Sequence, residues 1–184
     1  MIGDYAGSTE TPGATRAGLV AGSLIRTPQG DIPVENLSPG DLVCTHDNGP
    51  QPVCAVQLFR VQAQDQLAPI CIMAGTLGPH DTLFLSPQHR VLIRDSLADM
   101  LFGDAEVLVA AKDLVNGRSV RRCADGPVDY VQLVLDAMQV IYVQGVPTEC
   151  PVIIAASQPQ AHGQAAPRRT LRPFEARILM TAAA

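Results

Sequence analysis

This chain has no tryptophan, and aromatic residues make up only 4% of its 184 positions. A surface that grips single-stranded nucleic acid needs stacking aromatics, so that role is disfavoured. Positive charge is scarce as well. Thirteen Lys and Arg against eighteen Asp and Glu leave a net charge of -5, which argues against a broad phosphate-binding face. No run of about 18 apolar residues occurs, so no membrane span is expected. The first residues, MIGDYAGSTETPGATRAG, have neither a basic start nor an apolar core, so they do not read as a secretory signal. A cytoplasmic setting is expected, or secretion by a signal not visible in this chain. Five cysteines stand at 44, 54, 71, 123 and 150, an odd number without C-x-x-C spacing. Zinc and disulfide modules are therefore disfavoured, and no metal or cofactor is expected. Cys44, Cys54 and Cys71 lie in or near apolar runs and read as small, reduced core residues.

What is present is a foldable middle. Apolar residues make up 47% of the chain, enough for one domain with tails. Residues 1–17 read as a flexible lead-in, 18–150 as the domain, and 151–184 as a linker and a short C-terminal helix. Between 22 and 144 short apolar segments alternate with turn clusters such as Pro28-Gln29-Gly30-Asp31 and Asp47-Asn48-Gly49-Pro50. That rhythm predicts many short strands. Extended segments are expected at 22–26, 42–45, 51–63, 68–73, 83–85, 90–93, 106–110, 119–122, 128–135 and 140–144. Val131, Leu133 and Leu135 share one face at the strand period. One central helix is expected, with Ser96 as its N-cap, Gly103 at its end and Leu97, Met100 and Leu101 on its apolar face. A terminal helix is expected to begin at Pro173, with Phe174 and Ile178 paired.

Two stretches carry more information. Residues 21–45 read AGSLIRTPQGDIPVENLSPGDLVCT, and residues 83–93 read LFLSPQHRVLI. Together they resemble the first two sequence blocks of the Hint (Hedgehog/intein) domain. More narrowly, they are similar to bacterial Hint-domain proteins that carry PVE.L.PGDLV, DNGPQP and LSPQHRVL. The resemblance covers roughly residues 18–150 and implies an all-β Hint fold of curved β-hairpins with few short helices. It also implies an ancestry in autoprocessing, the self-cleavage of a longer precursor.

That chemistry needs a nucleophile, a proton donor for the leaving amine, and donors to the oxyanion. The family's Thr-x-x-His motif matches Ser86-Pro87-Gln88-His89. Ser86 before Pro87 reads as a cap whose hydroxyl accepts the His89 N–H. That bond would aim the His89 imidazole, which is expected to exchange a proton near neutrality. The nucleophile is absent. Four residues before Gly22-Ser23, where the family places Cys or Ser, the chain has Gly18. Ser23 reads as the block's structural small residue, and Thr15 lies in the lead-in. Met138 stands where the relatives commonly have His, and Cys150 where Ser is usual. The splicing ending His-Asn does not occur. His46 and His80 each adjoin an aspartate, Asp47 and Asp81, without a defined third ligand. Arg121-Arg122 and Arg168-Arg169 read as solvated charges. Two functions compete: autoprocessing with His89 and Ser86, and a non-catalytic Hint-fold binding or scaffolding module. The partner is expected to be the chain's own flanking polypeptide or another protein.

Overall fold

The computed structural model describes residues 17–123, 126–150 and 168–182. The lead-in up to residue 16 and the linker at 151–167 lie outside them. Strands far outnumber helices, as the turn rhythm predicts. They are β1 Leu19–Val20, β2 Leu24–Thr27, β3 Gly30–Pro33, β4 Leu42–Thr45, β5 Gly49–Pro52 and β6 Ala55–Ala63. Next come β7 Ile70–Ile72, β8 Leu83–Leu85, β9 Arg90–Arg94, β10 Glu106–Ala110 and β11 Val120–Arg122. The last are β12 Gly126–Val134, β13 Gln139–Val143, β14 Val146–Cys150 and β15 Arg169–Thr170. Among the described residues there are two α-helices, α1 Ser96–Phe102 and α2 Pro173–Ala182.

One sheet runs β11-β7-β8-β1-β12-β6, and the other β15-β10-β9-β14-β13-β2-β3, with β4 and β5 attached through β13. Among the described residues the strand pairings are antiparallel except β10 with β15. Two long strands dominate the first sheet: β6 and β12 pair over nine positions, from Gly126 against Ala63 to Val134 against Ala55. The segment that leads into the first sequence block meets the second block where Leu19 of β1 faces Leu85 of β8. Strand β14 was not expected from sequence. Its register against β13 is set by the turn at Gln144-Gly145, where both residues have positive φ, 51° and 89°. Such a two-residue turn matches the twist of the strands it joins, and a glycine in it avoids the Cβ penalty.

The core joins both sheets. Leu19, Ile25, Ile70, Leu83, Leu85, Val131 and Ile141 are buried in one cluster, and the C-terminal residues Leu171, Ala176 and Leu179 belong to it as well. The start of α1 differs from expectation, while its end at Gly103 and the start of α2 at Pro173 are as expected. Asp95 caps α1, its side chain accepting the Leu97 N–H at 2.9 Å. Gly103 closes the helix in the left-handed conformation, φ 75°. Met100 and Leu101 are exposed while Ala98 is buried. The helix thus turns a face centred one residue away from the predicted stripe. In α2 the predicted pair also faces outward: Phe174 and Ile178 are exposed, and Ala176 and Leu179 pack inward. Both helices are short and amphipathic only weakly, so their packing partner, not their periodicity, sets the rotation. Among the cysteines, Cys71 and Cys150 are buried, but Cys54 is exposed, against the core reading. Among the described residues no helix is long and apolar enough to cross a membrane.

Candidate functional site

The site forms where the chain entering β1 crosses the turn between β8 and β9. The Ser86-Pro87-Gln88-His89 turn is closed by the His89 N–H donating to the Ser86 carbonyl at 3.0 Å. The Ser86 hydroxyl, expected to cap that turn, accepts the N–H of Gly18 at 2.9 Å. The Ser86 N–H in turn donates to the Gly18 carbonyl at 3.0 Å. Gly18 is thereby clamped on both sides of its Cα by one serine. The clamped nitrogen is the amine that would leave if the Ala17–Gly18 peptide were opened.

His89 is 3% exposed, and neither ring nitrogen has a well-aligned hydrogen-bond partner. The ring lines a recess of about 10 Å³ together with Ala17, Gly18, Glu149 and Cys150, room for about one water. Burial pushes the His89 pKa down to about 4. The nearby carbonyl of Glu149 opposes this, as does that of Gly18, and the Arg90 charge adds to it. The imidazole is therefore neutral at pH 7, which departs from the expected titration near neutrality. Desolvation is the reason, because a charged ring in this recess loses its water without gaining a carboxylate.

Arg90 and Glu149 flank the recess. The guanidinium reaches both carboxylate oxygens of Glu149, at 3.2 and 2.9 Å. Sequence reading missed this pair. It arises only because β14 lies beside β9, with Thr148 facing Val91, and no local motif announces that pairing. Cys150 also lines the recess. Its thiol donates to the Leu133 carbonyl at 3.4 Å. Burial first, then the Glu149 charge, pushes its pKa up to about 12. At neutral pH this is a protonated, structural thiol.

Space at Gly18 is occupied. A Cβ added there would sit 3.1 Å from Phe59 Cζ and 3.2 Å from Tyr130 Cβ. Phe59 and Tyr130 are cross-strand partners on β6 and β12, and their rings pack with centroids 5.7 Å apart. A side chain at this position would thus crowd an aromatic pair from the neighbouring hairpin, which would have to give by a few tenths of an ångström.

The model of the Hint-domain family matches residues 17–154. The chain belongs to the Hint-domain family. Solved structures are similar to the chain. The bacterial intein-like domain from Clostridium thermocellum is 16% identical, with a TM-score of 0.50 over 73% of this chain and 98% of that one. The MchDnaB-1 intein (N145AA) is 17% identical, with a TM-score of 0.49 over 72% of this chain and 99% of that one. The AceL NrdHF class 3 split intein, in a splice-inactive variant, is 14% identical, with a TM-score of 0.49 over 74% and 99%. No curated protein sequence matches the chain. The first structural match supports a Hint fold, and at this identity the fold alone.

Other candidates in this Hint domain lie apart from the recess. Ser23 is buried and its hydroxyl donates to the Val20 carbonyl at 2.6 Å, a turn-closing bond. Thr15 lies outside the described residues. Met138 is exposed. His80 closes its own loop, accepting the Leu77 N–H at 3.0 Å, and the Asp81 N–H donates to the Gln144 carbonyl at 3.3 Å. His46 bonds the Tyr142 hydroxyl through Nδ1 at 2.9 Å and Glu106 through Nε2 at 3.1 Å. A carboxylate can only accept, so Nε2 donates to Glu106. Asp47 faces Arg168, whose guanidinium also reaches Glu106. Arg168 is thus a partly buried ion-pair partner and departs from the solvated reading, because three acceptors converge on it. Among the described residues no three His, Cys, Asp or Glu side chains form a metal-sized group.

Proposed function

We propose that this Hint domain has lost the acyl shift of its self-processing ancestry and works as a non-catalytic module that binds its own flanking polypeptide or a protein partner. The observation that supports this is a glycine, Gly18, in a crowded position where the nucleophile is needed. The shift needs a side chain at this position to attack the Ala17 carbonyl. Gly18 supplies none, and a Cβ there would press on Phe59 and Tyr130, which would have to give by a few tenths of an ångström. The rest of the pocket keeps elements of the ancestral design. Ser86 holds the nitrogen that would leave, and His89 lies in the same recess. With a pKa of about 4 the imidazole is a poor proton donor at neutral pH. Cys150 is the thiol within the recess, but at a pKa of about 12 it offers almost no thiolate.

The test is the intact mass of freshly expressed protein, before and after dithiothreitol or hydroxylamine. These reagents cleave an ester or thioester and leave an amide alone, so the Ala17–Gly18 bond is expected to stay whole. Gly18→Cys combined with Phe59→Ala restores a nucleophile and relieves the crowding beside it. Partial thiol-dependent cleavage in that double variant, abolished by His89→Ala, would identify a vestigial pocket. Cleavage at Ala17–Gly18 in the unmodified chain would overturn the non-catalytic reading.

A further inference from the structure

We propose that the cleft between the short 3-10 helix Ala111–Leu114 and α2 binds an acidic peptide segment of a partner protein, one in which carboxylates alternate with apolar side chains. The cleft has a volume of about 510 Å³, within the range of ligand-sized sites. Three cations line it, each from a different element. Lys112 comes from the 3-10 helix, Arg118 from the loop before β11, and Arg177 from α2. Asp113 is the carboxylate in the lining, so the cleft carries a surplus of positive charge in a chain whose net charge is -5.

These cations differ from the other arginines that join elements. Arg60 pairs with Asp129, Arg90 with Glu149, Arg168 with Asp47 and Glu106, and Arg169 with Glu175. Among the described residues, Lys112, Arg118 and Arg177 have no carboxylate within ion-pair distance. Like charges thus face one cleft without a partner, and carboxylates entering it relieve their repulsion. Charge is half of the lining. Leu114 is buried, Val115 is 39% exposed and Met180 is half-buried, and together they form an apolar wall. A bare anion leaves that wall in water, whereas an apolar side chain between two carboxylates covers it. A nucleic-acid strand gains its affinity from many phosphate contacts, and three cations in one cleft are too few. The inference rests on the reading of this domain as a module that binds a protein partner. It adds the surface and the chemistry of the partner's segment.

The probe is a short fluorescein-labelled peptide in which Glu alternates with Leu, titrated with the full chain and read by anisotropy. Saturable binding is expected. It should weaken at about 1 M salt, where the Debye length falls to about 3 Å, and vanish when Gln replaces each Glu of the probe. Lys112→Gln and Arg177→Gln should each weaken binding about two- to fivefold, the worth of one exposed ion pair. Their thermal melts should not change, because neither side chain has an ion-pair partner to lose. Arg94→Gln, at an exposed cation outside the cleft, should bind like the unmodified chain. Absence of saturation would overturn the proposal, as would unchanged affinity in both Lys112→Gln and Arg177→Gln. Displacement of the probe by inorganic phosphate as readily as by unlabelled peptide would overturn it too, by showing a plain anion site. Intact mass keeps the two readings apart. If the Ala17–Gly18 bond breaks while the probe binds, the non-catalytic reading falls and the cleft stands. If that bond stays whole and the probe does not bind, the cleft alone falls.

Discussion

Gly18 and Ser86 exchange two hydrogen bonds, the Gly18 N–H to the Ser86 hydroxyl at 2.9 Å and the Ser86 N–H to the Gly18 carbonyl at 3.0 Å. One of these is a side-chain bond at a buried position. Ser86→Ala removes the hydroxyl and leaves the Gly18 N–H without it. An unsatisfied buried donor costs about 1–3 kcal/mol, so the urea midpoint should fall with an unchanged slope. Amide exchange at Gly18 should quicken more than at Leu85, which keeps its backbone pairing. Equal exchange at the two amides would show that the hydroxyl does not hold Gly18.

The crowding at Gly18 predicts a coupled pair. Gly18 is not among the residues with positive φ, so alanine there meets a steric cost and no backbone one. Gly18→Ala should destabilise by about 1–3 kcal/mol, the usual cost of overpacking. In a Phe59→Ala background the atom 3.1 Å away is gone, and the penalty should shrink by more than about 0.5 kcal/mol. Additive effects in the double-mutant cycle would mean that Phe59 does not crowd the nucleophile's position.

His89 predicts an acid-sensitive fold. Its native pKa is about 4, while the unfolded value is about 6.5. Between those values the unfolded chain binds a proton that the native chain refuses. Stability therefore falls as pH drops from about 6.5 to 4, by roughly 3 kcal/mol in total. The carboxylates with lowered pKa, Asp47, Glu106, Asp129 and Glu175, act in a different window. Their contribution is lost only as pH falls below about 4. His89→Gln should flatten the upper window and spare the lower one. Thermal melts from pH 8 to pH 3 read both. A slope between pH 6.5 and 4 that survives His89→Gln would assign it to other groups.

Most strands were legible because their signals are local. Glu106–Ala110 and Leu83–Leu85 are bounded by turn residues and carry the apolar and β-branched side chains that a buried strand needs. The turn at Ser86 to His89 was legible for the same reason. What escaped the sequence depends on partners far along the chain. Strand β14 begins at Val146 and contains Pro147, which lowers its local strand signal. The aromatic crowding comes from residues 41 and 112 positions beyond Gly18, and nothing near the glycine announces it. The neutral state of His89 follows from burial by β14, again invisible in the Ser-Pro-Gln-His motif. The rotations of α1 and α2 are set by the surfaces they cover, and seven- and ten-residue helices are too short for periodicity to decide alone.

Arg168 ties the C-terminal segment to the domain, and its removal should loosen that segment selectively. Its guanidinium reaches both oxygens of Asp47, at 2.7 and 2.9 Å, and Glu106 Oε2 at 2.8 Å. Only 10% of its side chain is exposed. The hydrogen bond from Arg168 lowers the Asp47 pKa. At Glu106 burial works upward, and the bonds from Arg168 and His46 outweigh it. Arg168→Met keeps much of the stem's packing and leaves two carboxylates facing each other without their cation. The loss should be about 1–3 kcal/mol, below the cost of breaking a fully buried pair because the carboxylates are partly solvated. Arg168→Lys keeps the charge but not the fork, and should fall in between. Hydrogen exchange locates the effect: the Leu171 N–H, which donates to the Leu108 carbonyl at 2.9 Å, should lose protection, while the Val131 N–H within β12 should keep it. The acid step below pH 4 should also shrink, since the carboxylates of Asp47 and Glu106 return toward ordinary values. Unchanged protection at Leu171 in Arg168→Met would show that Leu171, Ala176 and Leu179 anchor the segment by apolar packing alone.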